Sequence, residues 1–76
     1  MIVKIFTTPT CVYCKMAKEY FLQKQVQFEE HDVSSDLKAR TEMLEKSHQM
    51  GVPVFDIGGE IIVGFNRPAI DRALNL

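Results

Sequence analysis

The chain has two cysteines, and they stand three positions apart in the stretch TTPTCVYCKMAKEYF, from Thr7 to Phe21. Two thiols at this spacing can cycle between a dithiol and a disulfide, because residues i and i+3 of a helix are neighbours. The same pair could also be half of a metal site, or two small residues that simply fall near each other. A closed zinc site needs four ligands. The other soft ligands, His31 and His48, are far apart in the sequence, so a metal site would require a dimer that contributes one cysteine pair per chain.

The position of the pair predicts different roles for the two thiols. Cys11 falls at the expected start of a helix, where unpaired backbone N–H groups favour an anion. Its thiolate is therefore the expected nucleophile. Cys14 falls one turn later on the inner side of the helix, where burial favours the protonated thiol, so Cys14 is expected to resolve a mixed disulfide by intramolecular attack.

The elements that position this pair alternate between strand and helix. IVKIF (Ile2–Phe6) is a β-branched and aromatic run that predicts a buried strand. From Val12 to about Gln25, an apolar stripe at helical spacing predicts a helix; the stripe consists of Tyr13, Met16, Ala17, Tyr20 and Phe21. VQFEEHDV predicts a second, more polar strand, whose acidic pair Glu29–Glu30 is interpreted as solvated.

The second half of the chain continues the alternation. Ser34 or Ser35 is expected to cap a second helix, with Asp36 in its first turn. This helix ends before Gly51, and one side of it presents Leu37, Thr41, Leu44 and His48. VPVFDI and EIIVGF flank Gly58–Gly59, which predicts a hairpin. A last helix follows, with Asn66 as cap and Pro68 in the first turn; its inward residues are Ile70, Ala73 and Leu74. The predicted order is βαβαββα, an α/β fold with a four-stranded mixed sheet and helices on both faces.

Composition narrows the class of protein. The 76 residues predict a single domain over 1–76, with 46% hydrophobic and 25% charged residues. A net charge of −1 offers no basic face for nucleic acid. No apolar run is long enough to span a membrane, and the N-terminus MIVKIF lacks the regions of a signal peptide. We therefore expect a cytoplasmic monomer with no membrane or nucleic-acid partner, in a compartment where structural disulfides are rare.

Further candidate residues surround the cysteines. Pro53 opens a strand pattern, and a trans bond is the commoner state of such a proline; a cis Val52–Pro53 bond would leave the backbone of Val52 free to pair with an extended substrate. VGFN before the last helix is either a plain turn or an anion site. Tyr13, between the cysteines, either faces the substrate or shields the thiols.

Together these segments resemble the small glutaredoxin-like redoxins of the thioredoxin superfamily. The resemblance is carried by TTPTCVYC, FEEHDVS, GVPVF and GEIIVGF. It implies a thioredoxin fold with sheet order 2-1-3-4 and antiparallel last strands, with Cys11 as nucleophile, Cys14 as resolving thiol and a cis Val52–Pro53 bond. It further implies an oxidoreductase that reduces protein disulfides through a Cys11–Cys14 disulfide, without a bound cofactor or metal.

The sequence differs from the glutaredoxins that use glutathione at the positions with which those proteins bind it. Such members typically have Lys where this chain has Thr8, Pro where it has Val12, and Thr where it has Gly51. Their acidic pair near the last helix is Asn66–Arg67 here. At these positions the chain is similar to redoxins that are reduced by a flavoprotein of the thioredoxin-reductase type. We therefore expect such a flavoprotein as the electron donor, with glutathione as the alternative donor. A dimer that binds a metal or an iron–sulfur cluster is a further alternative. The expected substrate-binding residues are Thr8, Tyr13, Val52, Pro53, Gly64, Phe65, Asn66 and Arg67.

Overall fold

The computed structural model describes residues 2–76, and within them the chain forms four strands and three helices in the predicted order βαβαββα. The elements are β1 (Val3–Thr7), α1 (Val12–Gln23), β2 (Glu29–Asp32), α2 (Leu37–Ser47), β3 (Val54–Ile57), β4 (Glu60–Val63) and α3 (Arg67–Leu74). The strands form one mixed sheet in the order β2-β1-β3-β4, with β1 and β2 parallel and the other pairs antiparallel. The predicted thioredoxin fold and sheet order are confirmed.

The hairpin of β3 and β4 turns where predicted. Gly58 and Gly59 both have positive φ, at 59° and 99°, a conformation that glycine adopts without the clash of a Cβ atom. The turn sets Ile57 opposite Glu60 and Val54 opposite Val63.

Helices cover both faces of the sheet because its buried side chains alternate between two cores. On one face α1 and α3 pack through a core that includes Ile5, Ala17, Phe21, Phe55 and Ile70. On the other face α2 packs through Phe6, Val33, Ala39, Met43 and Val54. Since α1 begins directly after the β1 loop, packing of its inner face against the sheet also fixes the position of the cysteines.

Three details of the predicted elements are wrong. Strand β2 is shorter than VQFEEHDV, because Gln25 adopts φ of 58° and residues 24–28 form a turn and an irregular segment. The cap of α2 is Asp36, whose carboxylate accepts a hydrogen bond from the N–H of Ala39 at 3.2 Å, rather than Ser34 or Ser35. The inward face of α2 is formed by Ala39 and Met43, whereas Leu37 is 75% exposed.

A charged network attaches α2 to the sheet. Glu42 accepts hydrogen bonds from Lys4 at 3.1 Å and from Lys46 at 2.6 Å. Lys46 also donates to Asp56, a buried carboxylate on β3 whose other oxygen accepts the N–H of Gly59 at 2.9 Å. The network therefore holds the helix, two strands and the hairpin turn together. Within residues 2–76, each helix is too short or too polar to cross a lipid bilayer.

Candidate active site

Cys11 is the N-cap of α1, as predicted from its position. Its backbone is extended, with φ of −85° and ψ of 114°, and its sulfur accepts a hydrogen bond from the N–H of Cys14 at 3.1 Å. The thiol is partly exposed. The sulfur therefore lies at the helix start with an N–H group directed at it, in a position that solvent and substrate can reach.

Cys14 has the opposite environment. Its side chain is 1% exposed, and both cysteines of the described chain are free thiols. Burial, followed by the hydrogen bond and the charge of Cys11, raises the pKa of Cys14 from 9.0 to about 12, although the backbone of Thr8 and the charge of Lys18 act in the other direction. A buried, protonated thiol beside an exposed sulfur is suited to act second.

The sheet register brings three of the predicted segments to one end of the sheet. Phe6 pairs with Val54, and Val54 pairs with Val63. The chain that follows β1, the chain that precedes β3 and the chain that follows β4 therefore emerge side by side. These are the segments that carry the cysteines, Val52–Pro53 and residues 64–67.

The Val52–Pro53 bond is cis, as the resemblance implies. Pro53 is buried, and its carbonyl accepts a hydrogen bond from the N–H of Gly64 at 2.9 Å, which ties this segment to the β4–α3 turn. Within residues 2–76, the N–H and C=O of Val52 make no hydrogen bond to other backbone groups. Val52 is half-buried and can offer both groups to an extended chain.

The turn between β4 and α3 is built around a glycine and a cap. Gly64 has φ of 82°, a value that favours glycine, and its carbonyl accepts the N–H of Asn66 at 2.9 Å. The Asn66 side chain accepts the N–H of Ala69 at 3.2 Å and so caps α3, as predicted. The polar group of Asn66 is therefore engaged with the helix.

Phe65 and Arg67 lie on one wall of a shallow groove between α1 and α3. The guanidinium carbon of Arg67 is 4.4 Å from the centre of the Tyr20 ring, and Phe65 meets that ring edge-on at 6.0 Å. The Tyr20 hydroxyl donates to Asp71, and this hydrogen bond, together with burial, raises the pKa of Tyr20. Met16, Glu19 and Gln23 also line the groove, which has a volume of about 230 Å³.

The two remaining predicted residues lie next to the cysteines. Tyr13 is 62% exposed, and its two interpretations, facing the substrate or shielding the thiols, stay predictions. Thr8 accepts a hydrogen bond from the N–H of Cys11 at 3.3 Å through its carbonyl, so its contact with the pair comes from the backbone.

Sequence reasoning missed a polar cluster below the cysteines. One carboxylate oxygen of Glu30 accepts hydrogen bonds from Thr7 and Lys18, each at 2.8 Å. The bond from Lys18 is the main reason that the pKa of Glu30 is lowered. Lys18 follows Cys14 by four residues and therefore shares its helix face. The spacing of Cys14 and Lys18 could therefore have been recognised in the sequence. The contact between Lys18 and Glu30 could not, because it joins two different elements and residues twelve positions apart.

Among residues 2–76, histidine, cysteine and carboxylate side chains form no group of three that could hold a metal ion. The site combines a partly exposed sulfur, a buried sulfur one turn away and a free backbone edge, which together are suited to thiol–disulfide exchange.

The comparisons with known proteins agree with this chemistry. Residues 3–62 match the family model named Glutaredoxin. The chain is 49% identical over 72 residues to an uncharacterized glutaredoxin-like protein in the rubredoxin operon of Clostridium pasteurianum, covering 95% of this chain and 96% of that one. It is 36% identical over 62 residues to glutaredoxin 3 of Escherichia coli strain K12, covering 82% and 75% of the two chains.

The fold comparison gives the same result. The crystal structure of the thioredoxin-like protein BC3987, in a mutant form, superposes with a TM-score of 0.91 at 30% identity, over 96% of this chain and 94% of that one. The match to the family model covers most of the chain, and the curated relatives exceed 30% identity over most of its length. The chain therefore belongs to the glutaredoxin family and is a thiol–disulfide oxidoreductase with a thioredoxin fold.

Proposed function

We propose that the protein is a dithiol electron carrier that reduces protein disulfides through Cys11 and Cys14. The observation that carries the proposal is the contrast between the two sulfurs. Cys11 is partly exposed and accepts an N–H hydrogen bond, whereas Cys14 is 1% exposed and has a raised pKa. The Cys11 sulfur is therefore suited to attack a substrate first, and the Cys14 sulfur to attack the resulting mixed disulfide second.

In the first step, the Cys11 thiolate attacks one sulfur of the substrate disulfide. A Cys11–substrate disulfide forms, the substrate S–S bond breaks, and the leaving thiolate takes a proton from solvent. In the second step, Cys14 loses its proton and attacks the Cys11 sulfur, which releases the second substrate thiol and leaves the Cys11–Cys14 disulfide. Two electrons from a donor, together with two protons, then restore the dithiol.

The surroundings of Cys11 support a role for the other predicted residues. Val52 offers a free backbone edge for an extended segment of substrate, beside the buried Pro53. Tyr13 offers an exposed aromatic surface. Gly64, Phe65 and Arg67 line the adjoining turn and groove, while Thr8 and Asn66 act through the local backbone and the helix cap.

For the electron donor we propose a flavoprotein disulfide reductase of the thioredoxin-reductase type. Glutathione carries two carboxylates, and two of the cations near the cysteines are engaged, Lys18 with Glu30 and Arg67 with the Tyr20 ring, whereas Lys15 is exposed. Thr8 supplies no charge. The buckwheat glutaredoxin–glutathione complex shares the fold with a TM-score of 0.75 at 21% identity, and this keeps glutathione as the alternative donor to be tested. A reducing compartment such as the cytoplasm would supply either donor and keep both thiols reduced.

Two variants test the cycle. Cys14→Ser should accumulate a mixed disulfide with substrate, because the second step has lost its nucleophile. Cys11→Ser should lose all turnover and trap nothing. Mass measurement of the wild-type protein after mild oxidation should show the loss of two hydrogens within one chain. Equal trapping by both variants would contradict the division of roles.

A second pair of assays tests the donor. Insulin reduction is measured with NADPH and a thioredoxin-reductase-type flavoenzyme, and separately with glutathione and glutathione reductase. Faster turnover with the flavoenzyme is the expected result. Faster turnover with glutathione would reassign the donor without changing the roles of the cysteines.

A further inference from the structure

The segment between α2 and β3 contains a side chain that binds the backbone ahead of Val52. The Gln49 carbonyl oxygen accepts the N–H of Gly51 at 2.6 Å, and the Gln49 amide nitrogen donates to the C=O of Gly51 at 3.0 Å. One side chain thereby occupies both backbone polar groups of a residue two positions later. We call this pair of hydrogen bonds the Gln49 clamp.

The clamp is itself anchored to the end of α2. The Ser47 hydroxyl donates to the carbonyl of Met43 at 2.7 Å, which holds it on the helix. It also lies 3.1 Å from the carbonyl of Gln49 and accepts the Gln49 amide at 3.2 Å. The path from the helix to Gly51 is thus a continuous chain of hydrogen bonds rather than a free loop.

A side chain at residue 51 would displace the clamp. A Cβ atom added at Gly51 would lie 2.8 Å from the Gln49 carbonyl oxygen, closer than such contacts normally allow. The φ angle of Gly51 is outside the left-handed region, so its backbone would accept another residue. The glycine therefore makes room for the glutamine amide.

We propose that Gln49 is a positioning residue that selects Val52 as the pairing point for substrates with an extended peptide segment beside their disulfide. With both polar groups of Gly51 occupied, Val52 is the residue of this segment whose N–H and C=O stay available within the described chain. The clamp holds these groups in place before substrate arrives, which lowers the ordering cost of binding. This inference rests on the proposed function, since it concerns the same disulfide substrates.

The test compares two probes that differ in their peptide content. One is an extended heptapeptide whose cysteine forms a mixed disulfide with nitrothiobenzoate; the other is cysteamine with the same disulfide. Both release coloured nitrothiobenzoate when pre-reduced protein attacks, so single-turnover rates need no electron donor. Gln49→Ala should raise the half-saturating concentration of the peptide probe about three- to tenfold, because the Val52 segment must then be ordered as the peptide binds, and leave its maximal rate intact.

A double-mutant cycle separates this positioning role from a general loss of packing. Gly51→Ala should displace the amide and give the same three- to tenfold rise. Because each change removes the same clamp, Gln49→Ala with Gly51→Ala should be no worse than either alone. Gln27→Ala is the matched control, an exposed glutamine in the loop before β2 at the opposite end of the sheet, and should behave as wild type.

Each result supports or overturns the proposal. An unchanged half-saturating concentration for the peptide in Gln49→Ala, or equal slowing of both probes, overturns it. Single effects that multiply in the double variant also overturn it. Wild-type protein that attacks neither probe refutes the proposed function instead, which keeps the two failures distinct.

Discussion

Cys14, the proposed resolving thiol, should be far less ionised than an ordinary cysteine, and the Cys11→Ser variant isolates it. A thiol with a pKa of about 12 holds about a thousandfold fewer thiolates at neutral pH than one at 9.0. Two of the causes that raise the pKa of Cys14 come from Cys11 and disappear in this variant, but burial is the largest cause and remains. We therefore expect alkylation of Cys14 at neutral pH to be slower than that of an unfolded cysteine by at least about tenfold and at most about a thousandfold.

The assay is iodoacetamide alkylation followed by mass spectrometry over a range of pH. Poor access and poor ionisation both slow the reaction, but they differ in pH profile. Poor access alone would give a rate that levels off near the ordinary thiol pKa, whereas a raised pKa gives a rate that still increases above it. Cys14→Ser, which keeps the exposed Cys11, is the control for a reactive thiol, and urea-unfolded Cys11→Ser is the control for an ordinary one.

One result would refute the assignment. If folded Cys11→Ser reacts as fast as its unfolded form, with a midpoint near 9.0, then burial does not keep Cys14 protonated. The order of the two steps would then need another cause.

Further predictions concern stability and its dependence on pH. Lys46→Met leaves the buried carboxylate of Asp56 without its cation, which should cost about 2 kcal/mol and lower the Tm by about 8–16 °C, measured by circular dichroism. The Lys46 hydrogen bond also lowers the pKa of Glu42 in the folded protein. The contribution of ionised Glu42 to the free energy of unfolding is therefore present above its unfolded pKa and is lost as the pH falls through the lower, folded pKa. The acid loss of stability should therefore be shallower in Lys46→Met than in wild type, and an unchanged pH profile would argue against the ion pair. Asn66→Ala removes the cap on the N–H of Ala69 and should cost about 1 kcal/mol, visible as a Tm lower by about 4–8 °C; a loss of disulfide reduction without a change in Tm would instead indicate that Asn66 binds substrate.

The fold was predictable because its main signals are local. The β-branched and aromatic run at Ile2–Phe6, the helical stripe after Cys11 and the glycine pair at Gly58–Gly59 each indicate an element through residues close in sequence. The sheet order followed from the resemblance, which uses several such segments at once. Element ends were less predictable, because small polar residues compete for the same role, as Asp36 competed with Ser34 and Ser35 to cap α2.

The cysteines were predictable for the same reason, and the polar contacts around them were not. The spacing of Cys11 and Cys14 places one at the helix start and the other on its inner face. The contact between Lys18 and Glu30 depends instead on how α1 packs against β2, which a single sequence does not specify. The Gln49 clamp is local, but a glutamine two residues before a glycine is too common a pattern to indicate a hydrogen-bonded pair.

The environment of Cys14 also bears on the order of the two steps in the proposed cycle. In the reduced protein, the hydrogen bond and the negative charge of Cys11 add to burial in raising the pKa of Cys14, so the thiol stays protonated while Cys11 is free to attack. Once Cys11 is in a mixed disulfide, its charge is gone, and Lys18 and the backbone of Thr8 still favour the Cys14 thiolate. In the proposed cycle, formation of the mixed disulfide therefore removes two of the causes that raise the pKa of Cys14, while burial, the largest cause, remains.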